Sequence, residues 1–86
     1  MPSFRVHVII ENKPGISDPE GETILRDLVL KKSHDSVSKI RSAKMLKFEI
    51  KASDNRTAEK KVLKLCNDLR IYNPLVSQVT LETFAL

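Results

Sequence analysis

The sequence is poor in cysteine, glycine and aromatic rings, and tryptophan is absent. A single Cys66 leaves no partner for an internal disulfide and no thiolate set for a structural zinc, which predicts a cytoplasmic protein in a reducing compartment. Only two glycines occur, Gly15 and Gly21, and neither G-x-G-x-x-G nor G-x-x-x-x-G-K-[ST] can be written with them. An ATP cradle built by this chain is therefore excluded, and no cofactor is expected in it. His7 and His34 stand far apart without an H-E-x-x-H pattern, so a catalytic metal is not expected and both imidazoles read as satisfied or exposed. The apolar runs Val8-Ile9-Ile10 and Leu28-Val29-Leu30 are three residues long, against the roughly 20 that cross a bilayer. Arg5 and His7 break the apolar character of the amino terminus, so neither a membrane span nor a signal peptide is expected.

What is present describes a small globular protein. The chain has 86 residues, 41% hydrophobic and 30% charged, and is expected to form one domain over residues 1–86, since two cores could not both be stable at this size. The net charge of +4 raises the question of nucleic acid. The lysines are interleaved with acids, as in Glu59, Lys60, Lys61, Lys64 and Asp68 and in Lys47, Glu49 and Lys51, which describes a solvated face instead.

Phe4, Val6, Val8 and Ile10 alternate with Arg5, His7 and Glu11, a period of two that predicts a strand with one buried face. Lys13-Pro14-Gly15-Ile16 then supplies a type II turn, with Pro14 presetting φ and Gly15 accepting a positive one. Asp18 followed by Pro19 predicts a helix start, and the helix is expected to run to about Lys32 with Ile24, Leu25, Leu28 and Val29 in one sector. Leu30 points elsewhere and is available for a contact with another subunit. Residues 37–42 read as a weak strand joined through Ala43-Lys44 to a strong one carrying Leu46, Phe48 and Ile50. Asp54 or Asn55 can cap a second helix whose stripe is Ala58, Val62, Leu65, Cys66 and Leu69, and this helix must end before Pro74. Val79, Leu81 and Thr83 alternate with Thr80, Glu82 and Phe84 in a last strand.

The order βαββαβ predicts an α+β, ferredoxin-like fold, a four-stranded mainly antiparallel sheet with two helices on one face. The other face stays bare, and a bare sheet in a small domain is commonly buried by self-association. Cys66 belongs to the apolar stripe and reads as a packed thiol, while Asp18, Glu20 and Glu22 lie where negative charge suits a helix start. No catalytic residue is expected. An RNA-recognition module shares this strand order, but the strand containing Leu46, Phe48 and Ile50 has no outward pair of stacking aromatics. A ligand-binding regulatory dimer of the ACT type is the stronger alternative, because it uses the same order of elements.

Several segments, taken in order, resemble the PurS family along almost the whole chain. They are the opening strand running into Lys13-Pro14-Gly15, the Asp18-Pro19-Glu20-Gly21 helix start, Phe48-Glu49-Ile50-Lys51-Ala52, Leu65-Cys66, and Asn73-Pro74. Departures stand at Ala43, at Lys31-Lys32-Ser33-His34, and at Arg70, Ile71 and Tyr72. The resemblance implies a non-catalytic subunit of phosphoribosylformylglycinamidine synthase, in purine synthesis. In that system the PurQ glutaminase releases ammonia from glutamine and PurL spends ATP to activate the acceptor amide, so ATP and glutamine are handled by the partners. PurS is then expected to assemble as a dimer or dimer of dimers and to bridge PurL and PurQ. Lys13, Pro14, Gly15, Asp18, Pro19, Gly21, Asn73 and Pro74 are the expected partner contacts, because rigid turns on a scaffold often carry function. No nucleic-acid or membrane partner is expected.

Overall fold

The structure, a computed structural model, describes residues 1–32 and 36–86. The part of the departure at Ser33 and His34, and with it the expectation for the His34 imidazole, lies outside the described residues. Three strands, β1 (Ser3–Asn12), β2 (Lys44–Lys51) and β3 (Ser77–Ala85), form one antiparallel sheet in the order β2-β1-β3. Pairing sets Val6 opposite Phe48 and Thr83, and Val8 opposite Leu46 and Leu81. The alternation of β1 works as expected: Phe4, Val6 and Val8 are buried beneath the second helix, α2 (Asn55–Asp68).

Asp54 is the N-cap of α2, its carboxylate accepting the Thr57 amide at 2.8 Å. Ala58, Val62 and Cys66, four residues apart, lie on its line of contact with the sheet and are fully buried. Leu65 and Leu69 do not join them. Leu65 sits on the flank of the stripe and Leu69 is the C-cap, and both are exposed. The helix closes with the Ile71 amide on the Cys66 carbonyl (3.0 Å) and the Arg70 amide on that of Asn67 (3.4 Å), a Schellman motif with Arg70 at φ +51° in the position that usually takes glycine.

Two expectations about the secondary structure also fail. Residues 37–42 form no strand, so among the described residues the sheet has three strands and the hairpin through Ala43-Lys44 does not exist. The physical reason is where the polar groups go. The Ser42 amide donates to the Asp18 carboxylate, and the Arg41 guanidinium donates to the carbonyls of Ile16 (3.1 Å) and Asn12 (2.7 Å). The segment is thereby tied to the start of the first helix, and the outer edge of β2 stays unpaired, with Lys44, Lys47 and Lys51 to blunt it.

The first helix is the second failure. It begins as α1 (Pro19–Thr23), widens to a π-helix over Ile24–Val29, where the Leu30 amide reaches the Leu25 carbonyl, and ends as a 3₁₀ turn over Leu30–Lys32. No Cα of this segment comes within 8 Å of a strand or of α2. Among the described residues, only one helix therefore covers the sheet. Leu28, expected in the core, is 60% exposed, and none of Ile24, Leu25 and Val29 belongs to the core cluster. The protein measures 52 × 27 × 13 Å with a radius of gyration of 16.5 Å, where a compact domain of this length has about 12 Å.

Candidate functional site

The turns singled out in the sequence converge at one end of the sheet. The Ile16 amide donates to the Lys13 carbonyl at 2.9 Å, and Gly15 has φ +88°, which completes the type II turn that Pro14 and Gly15 predict. Across from it, the Asn73 side-chain oxygen accepts the Leu75 amide at 3.0 Å, and the Asn73 carbonyl accepts the amides of Val76 (3.2 Å) and Ser77 (2.8 Å). The Lys13 amide donates to the Val76 carbonyl at 2.9 Å, and this bond fastens one turn to the other. The sequence places these turns sixty residues apart; pairing of β1 with β3 brings them together.

Asp18 is the best-connected side chain at this end, and only 4% of it is exposed. One carboxylate oxygen accepts the Gly21 amide (3.1 Å) and the Ser42 hydroxyl (2.7 Å), the other accepts the Ser42 amide, and the Arg41 guanidinium stands 3.9 Å away. The Ser42 amide, then its hydroxyl and the Gly21 amide, hold the acid below the ordinary aspartate value, with the Arg41 charge adding to this against desolvation. Gly21 is buried against the same segment: a Cβ there would lie 2.3 Å from the Ile40 carbonyl oxygen. Asp18, Gly21, Ile40, Arg41 and Ser42 thus make a clasp joining the two ends of the segment that leaves the sheet.

Of the expected partner contacts, Pro14, Gly15, Pro19, Asn73 and Pro74 are exposed and Lys13 is half-buried. Asp18 and Gly21 are buried and engaged inside the chain. Sequence reasoning missed Arg41 and Ser42. The signal available was Gly21 itself, since a glycine inside a helix often marks a close backbone approach. Beside the clasp lies an open cleft of 560 Å³ lined by Asn12, Glu20, Ser42, Lys44, Tyr72 and Ser77 among others.

The face of the sheet away from α2 carries Arg5, His7 and Ile9 of β1, with Lys47 and Glu49 on one side and Thr80, Glu82 and Phe84 on the other. Arg5 and Glu49 pair at 3.0 Å in solvent. The His7 ring lies 4.8 Å from that of Phe84, and its Nε2 atom is buried without a hydrogen-bond partner among the described residues. This corrects the expectation that His7 is satisfied or exposed: Phe84, which the β1–β3 register sets diagonally across from it, shields the nitrogen without offering an acceptor. Among the described residues, no three His, Cys, Asp or Glu side chains gather as metal ligands, and no helix is long and apolar enough to cross a membrane.

These features define a small α+β protomer with a one-sided three-stranded sheet and its rigid turns gathered at one end. The PurS family model, described as phosphoribosylformylglycinamidine (FGAM) synthase, matches residues 5–85, and the chain belongs to that family. The phosphoribosylformylglycinamidine synthase subunit PurS of Archaeoglobus fulgidus is 32% identical over 74 residues, which span 86% of this chain and 90% of the relative. A chain in the solved structure of PurLQS from Thermotoga maritima is 32% identical, with both chains covered in full and a TM-score of 0.75. PurS from Thermus thermophilus is 30% identical, with 99% of each chain covered and a TM-score of 0.78.

Proposed function

We propose that this chain is the non-catalytic assembly subunit of a phosphoribosylformylglycinamidine synthase, joining a PurQ glutaminase to an ATP-dependent PurL synthetase in the cytoplasm. The observation that carries this reading is the full-length similarity to a chain of the PurLQS structure, from first residue to last. On this reading residues 1–86 are one PurS-like domain, and ATP and glutamine are handled by the partners, with no cofactor held here.

The physical part of such a subunit is enclosure. Ammonia set free in water is protonated and diluted, whereas a closed interface delivers it neutral and at high effective concentration to the activated amide. A protein can therefore govern glutamine-dependent turnover through its surface alone. The joined turns at Lys13, Pro14 and Gly15 and at Asn73 and Pro74 suit this role, since their backbones are fixed by hydrogen bonds while their outer surfaces are free. Asp18, Pro19 and Gly21 contribute by fixing the direction in which the first helix leaves the sheet.

Reconstitution tests the proposal. The chain alone is expected to be inactive, and glutamine-dependent synthesis by PurL with PurQ is expected to require its addition, while ammonia-dependent synthesis by PurL is not. Glutamine-dependent activity that is unchanged when the chain is left out would reject it.

A further inference from the structure

The strain at Arg70 is not explained by the fold. Arg70 holds φ +51° where α2 ends, and among the described residues it is the one non-glycine residue with a positive φ. Glycine adopts this conformation freely, whereas a Cβ crowds the carbonyl that follows, so an arginine here carries a cost that another interaction must offset. Among the described residues no acid lies within ion-pair reach of the Arg70 guanidinium, although Arg5, Arg26, Arg41 and Lys64 each have one. The dipole of α2 does not account for it either, because a cation inside the last turn would satisfy the dipole without strain, and that turn holds no basic residue.

Arg70 stands between two shallow hollows. One, of 460 Å³, opens toward Asn67 and Pro74, the other, of 430 Å³, toward Asn73 and Leu75, and Tyr72 borders both. Among the described residues no carboxylate lines either hollow, so Arg70 is the single charge of the pair. Their walls are fixed. The Tyr72 hydroxyl donates to the Asn67 side-chain oxygen at 2.8 Å, and the Leu75 amide donates to that of Asn73 at 3.0 Å, beneath a leucine side chain that is 81% exposed. A cation, an aromatic ring and an exposed leucine on a backbone already ordered make an anchoring patch, because little freedom is lost when a partner settles on it. The charge says what the partner brings, since the planar guanidinium fork takes a carboxylate through two parallel hydrogen bonds.

We propose that Arg70 anchors a protein surface that presents a carboxylate between apolar side chains, these entering the hollows beside Tyr72 and Leu75, and that the strained backbone is retained for this contact. The proposal rests on the reading that the chain joins PurL to PurQ, and it places the carboxylate on that pair. The patch is continuous with the joined turns, since Asn73 and Pro74 belong to both. Arg70→Gly then yields a chain that is more stable and binds more weakly. An arginine with a purely structural role cannot give that combination, because its loss would weaken the fold and the contact together.

The test measures the concentration of intact chain that half-restores glutamine-dependent synthesis by PurL with PurQ. Arg70→Gly is expected to raise this concentration at least about tenfold, with a denaturation midpoint no lower than that of the wild type. Arg70→Lys is expected to fall between the two, since it keeps the charge and loses the fork. Leu75→Asp is expected to raise the concentration at least about tenfold as well, by setting a like charge against the partner's carboxylate. Lys61→Ala, which removes one positive charge from the exposed side of α2, is expected to match the wild type. Added salt should raise the wild-type value more steeply than that of Arg70→Gly. A wild-type value in Arg70→Gly, an equal loss in Lys61→Ala, or an Arg70→Gly chain less stable than the wild type overturns the proposal. So does a changed mass of the isolated Arg70→Gly chain, which would place the contact between its own copies. A wild-type chain that restores nothing overturns the assembly reading and this proposal with it, whereas equal restoration by wild type and Arg70→Gly overturns the proposal alone.

Discussion

Gly21→Ala is the perturbation whose sign depends most directly on the structure. On propensity alone, alanine in place of a helical glycine stabilises by about 1 kcal/mol. Here the new Cβ would lie 2.3 Å from the Ile40 carbonyl oxygen, 2.9 Å from its carbon and 3.1 Å from Arg41 Cα, all of them backbone atoms that cannot swing aside. Relief requires the first helix and the segment around Ile40 to separate, which stretches the bonds from Ser42 to Asp18. Overpacking of this kind costs up to about 3 kcal/mol, so the net effect is a loss of about 2 kcal/mol, or roughly a 30-fold increase in local opening. The Ser42 amide is the reporter, because its proton is held by the Asp18 carboxylate. Amide hydrogen exchange by NMR is expected to show it exchanging about 30-fold faster in Gly21→Ala, while the amide of Val62 in α2 keeps its protection. Equal or slower exchange at Ser42 would refute the close approach of Gly21 to Ile40.

Other expectations concern backbone conformation, acid and the buried thiol. Gly15→Ala meets no atom within 4 Å but must adopt φ +88°, so chemical denaturation should show a loss of about 1 kcal/mol from conformation alone. Arg70→Gly should do the reverse, raising stability by about 0.5–1 kcal/mol, because it relieves a non-glycine residue at φ +51°. Hydrogen bonds lower the carboxyls of Asp18, chiefly from the Ser42 amide, and of Asp54, chiefly from the Thr57 amide, below the ordinary value of 3.8. Their contribution is therefore complete above that value and is lost as pH falls through the lower folded-state values. Denaturation midpoints should fall on acidification below about pH 4, less steeply in Asp18→Asn, and an unchanged acid slope in that variant would contradict the clasp. Burial raises the Cys66 thiol above its ordinary range, so a thiol reagent at pH 8 should label it only through opening, at a rate that climbs with denaturant.

The exposed surfaces and the assembly reading have a common physical origin. A three-stranded sheet with one helix gives a thin body, 13 Å in its shortest dimension, and such a body cannot enclose all the apolar side chains that its sequence carries. Leu28, Leu30, Leu65, Leu69, Met45 and Phe84 remain outside. The same thinness leaves an edge of the sheet and an open face uncovered.

The sequence by itself determined whatever depends on near neighbours along the chain. The alternation in β1, β2 and β3, the Asp54 cap, the Pro14-Gly15 turn, the line Ala58, Val62 and Cys66, and the family to which the chain belongs were all legible there, because each rests on local geometry or on motif order. Tertiary structure decided the rest. Whether residues 37–42 pair with β2 depends on competition for their polar groups, and Asp18, twenty-four residues upstream, takes the Ser42 amide. Where the first helix lies depends on the same contact, since a hydrophobic sector in the sequence says that a helix has something to bury against but not whose surface that is. Leu65 shows the limit in one residue: its spacing places it on the apolar stripe, and its exposure follows from the absence of a second helix beside α2.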